Sequence, residues 1–372
     1  MKKRLREFDF LRAIAAISII AIHVTARFAF NSRGAYFWNQ AMRYAVPMFI
    51  IISGLLLLYT DMDSKKLNYF GFLYKRLKKI LIPYILWTVA YIIYNQRHDL
   101  IGIWAAKQDF LADLCRCLLF GTGGAHLYFI AIIIQLYLLY PLLRMLVTKW
   151  PRIILSASLI TTFVFQTAVY LWEIKLLTLA EFVIPYYIFF PTWVFYFVLG
   201  MYVSLNMKAW QDKLAGRGIH VIIVWVLSLG ILLVDSKLTL TYGSSIKPSI
   251  MLYSITSFMF LYSVSAKFSD TLSLAGKILD WLSLQSFNIY FCHVIIINLI
   301  IYAFNFSGFV ILSKGIIGAL LLFETTLLLS SLFAYVAGLT PLAVLAGGVY
   351  TRRKQHLKDA GRGTDMGNGL SI

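Results

Sequence analysis

The sequence predicts an all-α integral membrane protein of about ten transmembrane helices with both termini cytoplasmic. Three observations lead there. The 372 residues are 60% hydrophobic and only 13% charged, with a mean hydropathy of +0.78, whereas soluble domains carry about 25% charged residues. Apolar stretches near the roughly 20 residues that a bilayer requires recur along the whole length. Lys and Arg fall unevenly between alternate connecting segments.

Ten spans follow in order: 10–29, 41–59, 77–95, 125–146, 152–172, 185–206, 219–234, 246–265, 286–305 and 311–339. The first is an Ala/Ile run between Arg12 and His23. The second contains Phe49-Ile-Ile-Ile-Ser53-Gly54, and the third opens behind the basic cluster Tyr74–Lys79 and carries Pro83. The loop 96–124 precedes the fourth span. There Ile103, Trp104, Phe110, Leu111, Leu114, Leu118 and Leu119 alternate with Lys107, Asp109, Asp113 and Arg116 at near-helical spacing, the pattern of an amphipathic helix on the outer face. Gly121-Thr-Gly-Gly124 breaks the chain before His126-Leu-Tyr-Phe129 begins span four. The fifth and eighth are plain apolar runs, the sixth holds Phe197-Val-Leu-Gly200-Met-Tyr, the seventh is short and the tenth long. With the N-terminus inside, 23 Lys and Arg lie in cytoplasmic segments and 10 in external ones, as the positive-inside rule requires. Met-Lys-Lys-Arg-Leu-Arg imitates the start of a signal peptide, but Arg12 and His23 interrupt the apolar region, so a retained first span is expected. Residues 1–350 form one membrane domain; 351–372 are basic, then Gly-rich, and expected to be disordered.

The net charge of +18 comes without a basic patch interleaved with aromatics, so nucleic acid is not the expected partner. The charge suits anionic lipid headgroups of the bilayer. Cys115, Cys117 and Cys292 give no disulfide framework, and six histidines show no HExxH or HxxxH pair, so no metal is expected.

Arg12 and His23 carry the strongest functional signal. Eleven helical steps of 100° make three turns plus about 20°, so both point the same way, about 16 Å apart along the axis. Asp9 precedes Arg12 by three residues and can hold its guanidinium. Ionisable side chains inside a membrane are costly, which makes a functional site the default reading. Arg12 reads otherwise as a snorkelling anchor. His23, near or above mid-membrane, reads as an interhelical hydrogen-bonding group or as a general base. Arg76 and Lys79 share a face and read as positive-inside anchors or as a phosphate grip. Ser53 beside Gly54 marks close packing and a candidate donor. His126 belongs to an aromatic belt or to an acceptor site. Ser286, Tyr290 and His293 form a polar stripe in the cytoplasmic half of span nine. Glu324 lies deep in span ten and is expected to be protonated or paired.

Together these residues resemble the acyltransferase 3 family of integral membrane acyltransferases. The most specific element is Asp9-Phe-Leu-Arg12 followed, after ten residues, by His23. Supporting elements are Phe49–Gly54, Arg76-x-x-Lys79 with Pro83, His126–Phe129, Phe197–Tyr202 and Ser286–His293; their order and spacing carry the match across all ten spans. The resemblance implies transfer of an acyl group, acetyl above all, from cytoplasmic acyl-CoA to a hydroxyl of a surface sugar, lipid-linked glycan or polysaccharide. It implies His23 as catalytic residue, Arg12 as donor-positioning residue, no permanently bound cofactor, and association with polysaccharide biosynthesis machinery. Lys79 stands where a second arginine is common in the family. No extracytoplasmic esterase-like domain, which some members carry, is visible.

The residues themselves fit this chemistry. A thioester on a long arm would enter from the cytoplasm with its phosphates near Arg76 and Lys79, and a sugar hydroxyl would approach from outside past His126. His23 would take the hydroxyl proton, with Ser53, Tyr128 or Arg12 stabilising the oxyanion. A covalent acyl-histidine is the other route. The main competing function is a transporter or flippase for a lipid-linked sugar or polysaccharide, for which paired broken helices in two halves would be the sign; none is seen. A sensor or scaffold fits the aligned polar groups less well.

Overall fold

The computed structural model describes residues 5–62, 69–97, 107–178, 185–268, 274–306 and 315–350. Among them every regular element is helical. The α-helices are α1 (Arg6–Thr25), α2 (Arg33–Ala41), α3 (Ala45–Asp61), α4 (Tyr69–Asn95), α5 (Lys107–Phe120), α6 (Tyr128–Lys149), α7 (Pro151–Glu173), α8 (Val194–Leu205), α9 (Met207–Ala215), α10 (Gly218–Thr239), α11 (Pro248–Phe268), α12 (Leu274–Phe306) and α13 (Gly315–Gly338). Among the described residues eight helical segments are long and apolar enough to cross a membrane: α1, α2 with α3, α4, α6, α7, α10, α12 and α13. This is the pattern of a multi-pass membrane protein.

The remaining two sequence-predicted spans correspond to α11, of 21 residues, and α8, of only 12. The sixth span is thus shorter than expected. Pro191 sits in a one-turn 3-10 helix, Phe190–Thr192, ahead of α8. Proline has no N–H to give and disfavours helix in the residue before it. The loop 96–124 does contain a helix, α5, whose Leu111 and Leu119 are exposed. Tyr84 ties down its end by donating to the Leu118 carbonyl at 2.9 Å. Residues 98–106, with Ile103 and Trp104, and the tail 351–372 lie outside the described residues.

Burial divides the helices into an inner and an outer set. The apolar windows of α1 and of α2–α3 are 67% and 78% buried, against 22% for α7 and α10. Inner helices bury polar side chains where only protein can satisfy them; outer helices show Leu, Ile, Val and Phe to the surroundings. At the centre α1 packs along α12 and α3, and α3 packs along α8.

The α3–α8 contact depends on two glycines. A Cβ on Gly54 would lie 2.1 Å from the Phe197 carbonyl oxygen, and one on Gly200 would lie 1.9 Å from that of Ile51. Each glycine faces the backbone of the other helix, so the two helices approach as closely as small residues permit. The packing role read for Gly54 from the sequence holds, and the approach sets Ser53 on the adjoining face.

Candidate active site

Helix α1 supplies the two residues singled out first. Glu7 and Asp9 lie in its first turn, where the helix dipole favours negative charge. Asp9 is buried and must be paired. Its Oδ1 accepts from Ser283 Oγ of α12 at 2.9 Å and lies 3.6 Å from Arg12 Nη1. Asp9 therefore couples Arg12 to α12.

Arg12 lines a cavity of about 780 Å³. Ser53 of α3, Arg76 and Lys79 of α4, and Tyr290 of α12 line it as well. The structure thus brings five residues from four sequence motifs to one space. Three of them are cations. Tyr137 of α6 lines it too.

Tyr290 separates this cavity from a cluster of histidines. Its hydroxyl donates to the His126 carbonyl at 2.6 Å, and its ring lies 5.0 Å from that of His126. The His126 ring is 4.9 Å from His293 and 6.0 Å from His23; His23 and His293 are 5.1 Å apart. His23 in turn lines a smaller cavity of about 330 Å³ with Arg27, Tyr91, Gly124 and Asn298. Arg27 Nη2 donates to Asn298 Oδ1 at 2.7 Å and sets a cation at this second space. The two ends of the α1 stripe therefore open into different cavities, with Tyr290 and the three imidazoles between them.

The hydrogen bonds fix one tautomer. His293 Nδ1 lies 2.7 Å from the Tyr290 carbonyl and 3.2 Å from that of Ile289. Carbonyl oxygens only accept, so Nδ1 carries the proton and Nε2 holds a lone pair. That Nε2 and both ring nitrogens of His126 are buried with no hydrogen-bond partner among the described residues. Leaving a buried polar group unpaired costs about 1–3 kcal/mol. Three such nitrogens beside His23 form a set of proton-accepting and proton-donating groups that protein does not use. Tyr91 shapes the backbone beneath them. Its hydroxyl donates to the Phe291 carbonyl at 2.8 Å and accepts from the Ile295 amide at 3.2 Å. An α-helix pairs those two groups with each other, so Tyr91 inserts into the α12 ladder on either side of His293.

Three sequence expectations change. Tyr290 and His293 were placed in the cytoplasmic half of span nine, but they stand level with His23 and His126. The reason is that α12 starts at Leu274, twelve residues before the predicted span, which puts Tyr290 near its middle. Glu324 does not join the site. It is exposed on α13, with Leu320, Leu321 and Leu328 exposed around it, and lines neither of these cavities. His126 is 2% exposed and packed among rings, so it is no part of an aromatic belt.

The sequence reading missed the segment 341–350. Pro341, Val344 and Gly347–Tyr350 close the larger cavity. Trp87 Nε1 donates to the Ala346 carbonyl at 3.2 Å, and Gln285 Nε2 to that of Val349 at 3.2 Å. Gly347 adopts a φ of +86°, and a Cβ there would sit 2.9 Å from the Phe291 ring. The Pro341 and Gly347-Gly348 turn signals were available, but they follow the last apolar run and carry no chemistry of their own. Among the described residues, no group of three His, Cys, Asp or Glu side chains is disposed to hold a metal ion.

Half-buried Arg12 paired with buried Asp9, a cavity lined by cations and a cluster of histidines thus stand on one scaffold of apolar helices. The acyltransferase 3 family model, that of an acyltransferase domain, matches residues 5–335, and the chain belongs to this family. Among curated proteins it is similar to the probable poly-beta-1,6-N-acetyl-D-glucosamine export proteins of Staphylococcus aureus strains MRSA252 and MSSA476. Each is 25% identical over 314 residues, covering 80% of this chain and 84% of the relative. No solved structure matches.

Proposed function

We propose that this protein transfers an acyl group, acetyl first among candidates, from acyl-CoA in the cytoplasm to a hydroxyl of a surface or lipid-linked carbohydrate. The observation that carries this reading is the pair of cavities with Tyr290 and the histidine cluster between them. The larger is lined by Arg12, Arg76 and Lys79, which suit the phosphates and thioester of the donor. The smaller is lined by His23 and suits the acceptor hydroxyl. In this reading the termini and the larger cavity face the cytoplasm, as the charge asymmetry of the loops requires. No resident cofactor takes part.

The step balances simply. The acceptor oxygen attacks the thioester carbonyl, and His23 takes the hydroxyl proton. The carbon–sulfur bond breaks, and the proton passes to the departing CoA thiolate. Arg12, about 16 Å along the helix from His23, lines the larger cavity and positions the donor there. Because His126 and His293 are within ring contact of His23, they are placed to share or relay that proton.

The relatives' names favour one second reading, export of a polysaccharide such as poly-β-1,6-N-acetylglucosamine. Two cavities at different depths also suit a translocation route. The test is direct: protein in nanodiscs, given labelled acetyl-CoA and cell-wall glycan extract, should transfer label to glycan at a rate that disappears with His23→Gln. Unlabelled glycan under conditions where acetyl-CoA binds would favour export.

A further inference from the structure

A third cavity, of about 420 Å³, borders the segment that carries Thr122, Gly124 and Ala125, and those three residues also line the His23 cavity. The two spaces are therefore neighbours across one short segment. The walls of the third are of a different kind. Tyr128, Tyr186 and Tyr187 contribute half-buried rings, with Tyr187 edge-on to Tyr128 at 6.2 Å and to Tyr186 at 5.8 Å. Glu173, at the end of α7, also lines it, and its Oε2 is buried without a hydrogen-bond partner among the described residues. Among the described residues no Lys or Arg lines it.

The opposite wall, Gly243–Ile246, is held rigid from behind. Arg43 Nη1 donates to the carbonyls of Gly243 at 2.8 Å and Ser244 at 3.3 Å and to Ser245 Oγ at 3.2 Å. Asn39 Oδ1 receives both Nε and Nη2 of the same guanidinium. A buried, fully engaged arginine thus shapes a loop whose Ser244 and Ser245 face the cavity.

We propose that this cleft binds an uncharged pyranose residue of the acceptor glycan, next along the chain from the hydroxyl presented to His23. A sugar ring has an apolar C–H face and a rim of hydroxyls. Tyrosine rings match the face, while a carboxylate and serine hydroxyls match the rim. The unpaired Glu173 oxygen is an acceptor waiting for such a donor. The absence of a lining cation, with a carboxylate present, argues against CoA phosphates, anionic lipid headgroups or a phosphate-bearing polymer. The assignment of the neighbouring hydroxyl rests on the acyl-transfer reading; the sugar site itself does not.

Binding and transfer are measured separately for that reason. Protein in nanodiscs is titrated with a β-linked N-acetylglucosamine pentasaccharide, without acyl-CoA, by calorimetry. Wild type and Glu324→Gln, on the outward face of α13, should bind alike. Tyr187→Ala and Glu173→Gln should each weaken binding about tenfold, and Tyr187→Phe, which keeps the ring, should restore it and so exclude misfolding. In transfer assays Tyr187→Ala should raise the acceptor KM while leaving the acyl-CoA KM unchanged. No binding by wild type, or equal binding by wild type and Tyr187→Ala, overturns the proposal. Binding that follows these variants in a protein that transfers nothing upholds the cleft and removes the acyl-transfer reading.

Discussion

The imidazoles of His23 and His293 lie 5.1 Å apart, although one belongs to the first helix and the other to the twelfth. Their contact closes the site, because α1 and α12 are also joined at their other end by Asp9 and Ser283. The ion pair that orients Arg12 and the cluster that surrounds His23 thus depend on one helix–helix interface.

That interface makes a prediction about Asp9. Asp9→Asn keeps the hydrogen bond from Ser283 but removes the charge that faces Arg12. Arg12 would then lose the charge that Asp9 sets against it while still lining the cavity. Transfer should fall about ten- to hundredfold, as expected for the loss of a charge-assisted contact of about 1.5–3 kcal/mol. Steady-state kinetics on purified variant protein would check this; unchanged rates would mean that Arg12 is held by other contacts.

The larger cavity predicts a donor effect. Arg76→Ala with Lys79→Ala should weaken acyl-CoA binding by a factor of about ten or more while the protein stays folded, because both side chains reach the cavity from the surface of α4. Equilibrium binding of acetyl-CoA to nanodisc-held protein measures it. Unchanged affinity would return both residues to the role of membrane anchors.

Close packing predicts a stability effect instead. Gly54→Ala would press a methyl group against the Phe197 carbonyl. Overpacking of this kind costs about 1–3 kcal/mol. The variant should unfold at lower temperature in detergent, whereas Gly230→Ala, where a Cβ meets nothing within 4 Å, should not.

Glu324 predicts no catalytic effect. It lies on the outward face of α13, away from both cavities. Glu324→Gln should leave transfer within about twofold of wild type. A larger loss of transfer would show that this face of α13 matters to catalysis.

The sequence made the inner helix legible and the cluster only partly so. Arg12 and His23 share one helix, so a 100° repeat suffices to align them, and Asp9 follows from the three-residue neighbour rule. His126 and His293 were picked out singly, but their meeting with His23 depends on how α1 and α12 pack and on the extra turns at the start of α12. Neither leaves a local periodicity. Tyr186, Tyr187 and Glu173 escaped for a related reason. They flank a loop between spans, and only the folded arrangement sets them opposite Ser244 and Ser245. Glu324 shows the converse. A carboxylate in an apolar run signals cost, but helical spacing alone does not say which face looks inward when apolar residues surround the helix.

The most direct test of the central claim is His23→Gln measured for two quantities in the same cells: ester on the exported glycan, and the amount of glycan exported. Glutamine hydrogen-bonds but cannot take a proton at neutral pH, so a general base lost here should lower esterification by a factor of about 100 to 10,000. The acyltransferase account predicts that loss with export constant. Export abolished by His23→Gln, with no ester on the wild-type glycan, would contradict it and identify the two cavities as a translocation path.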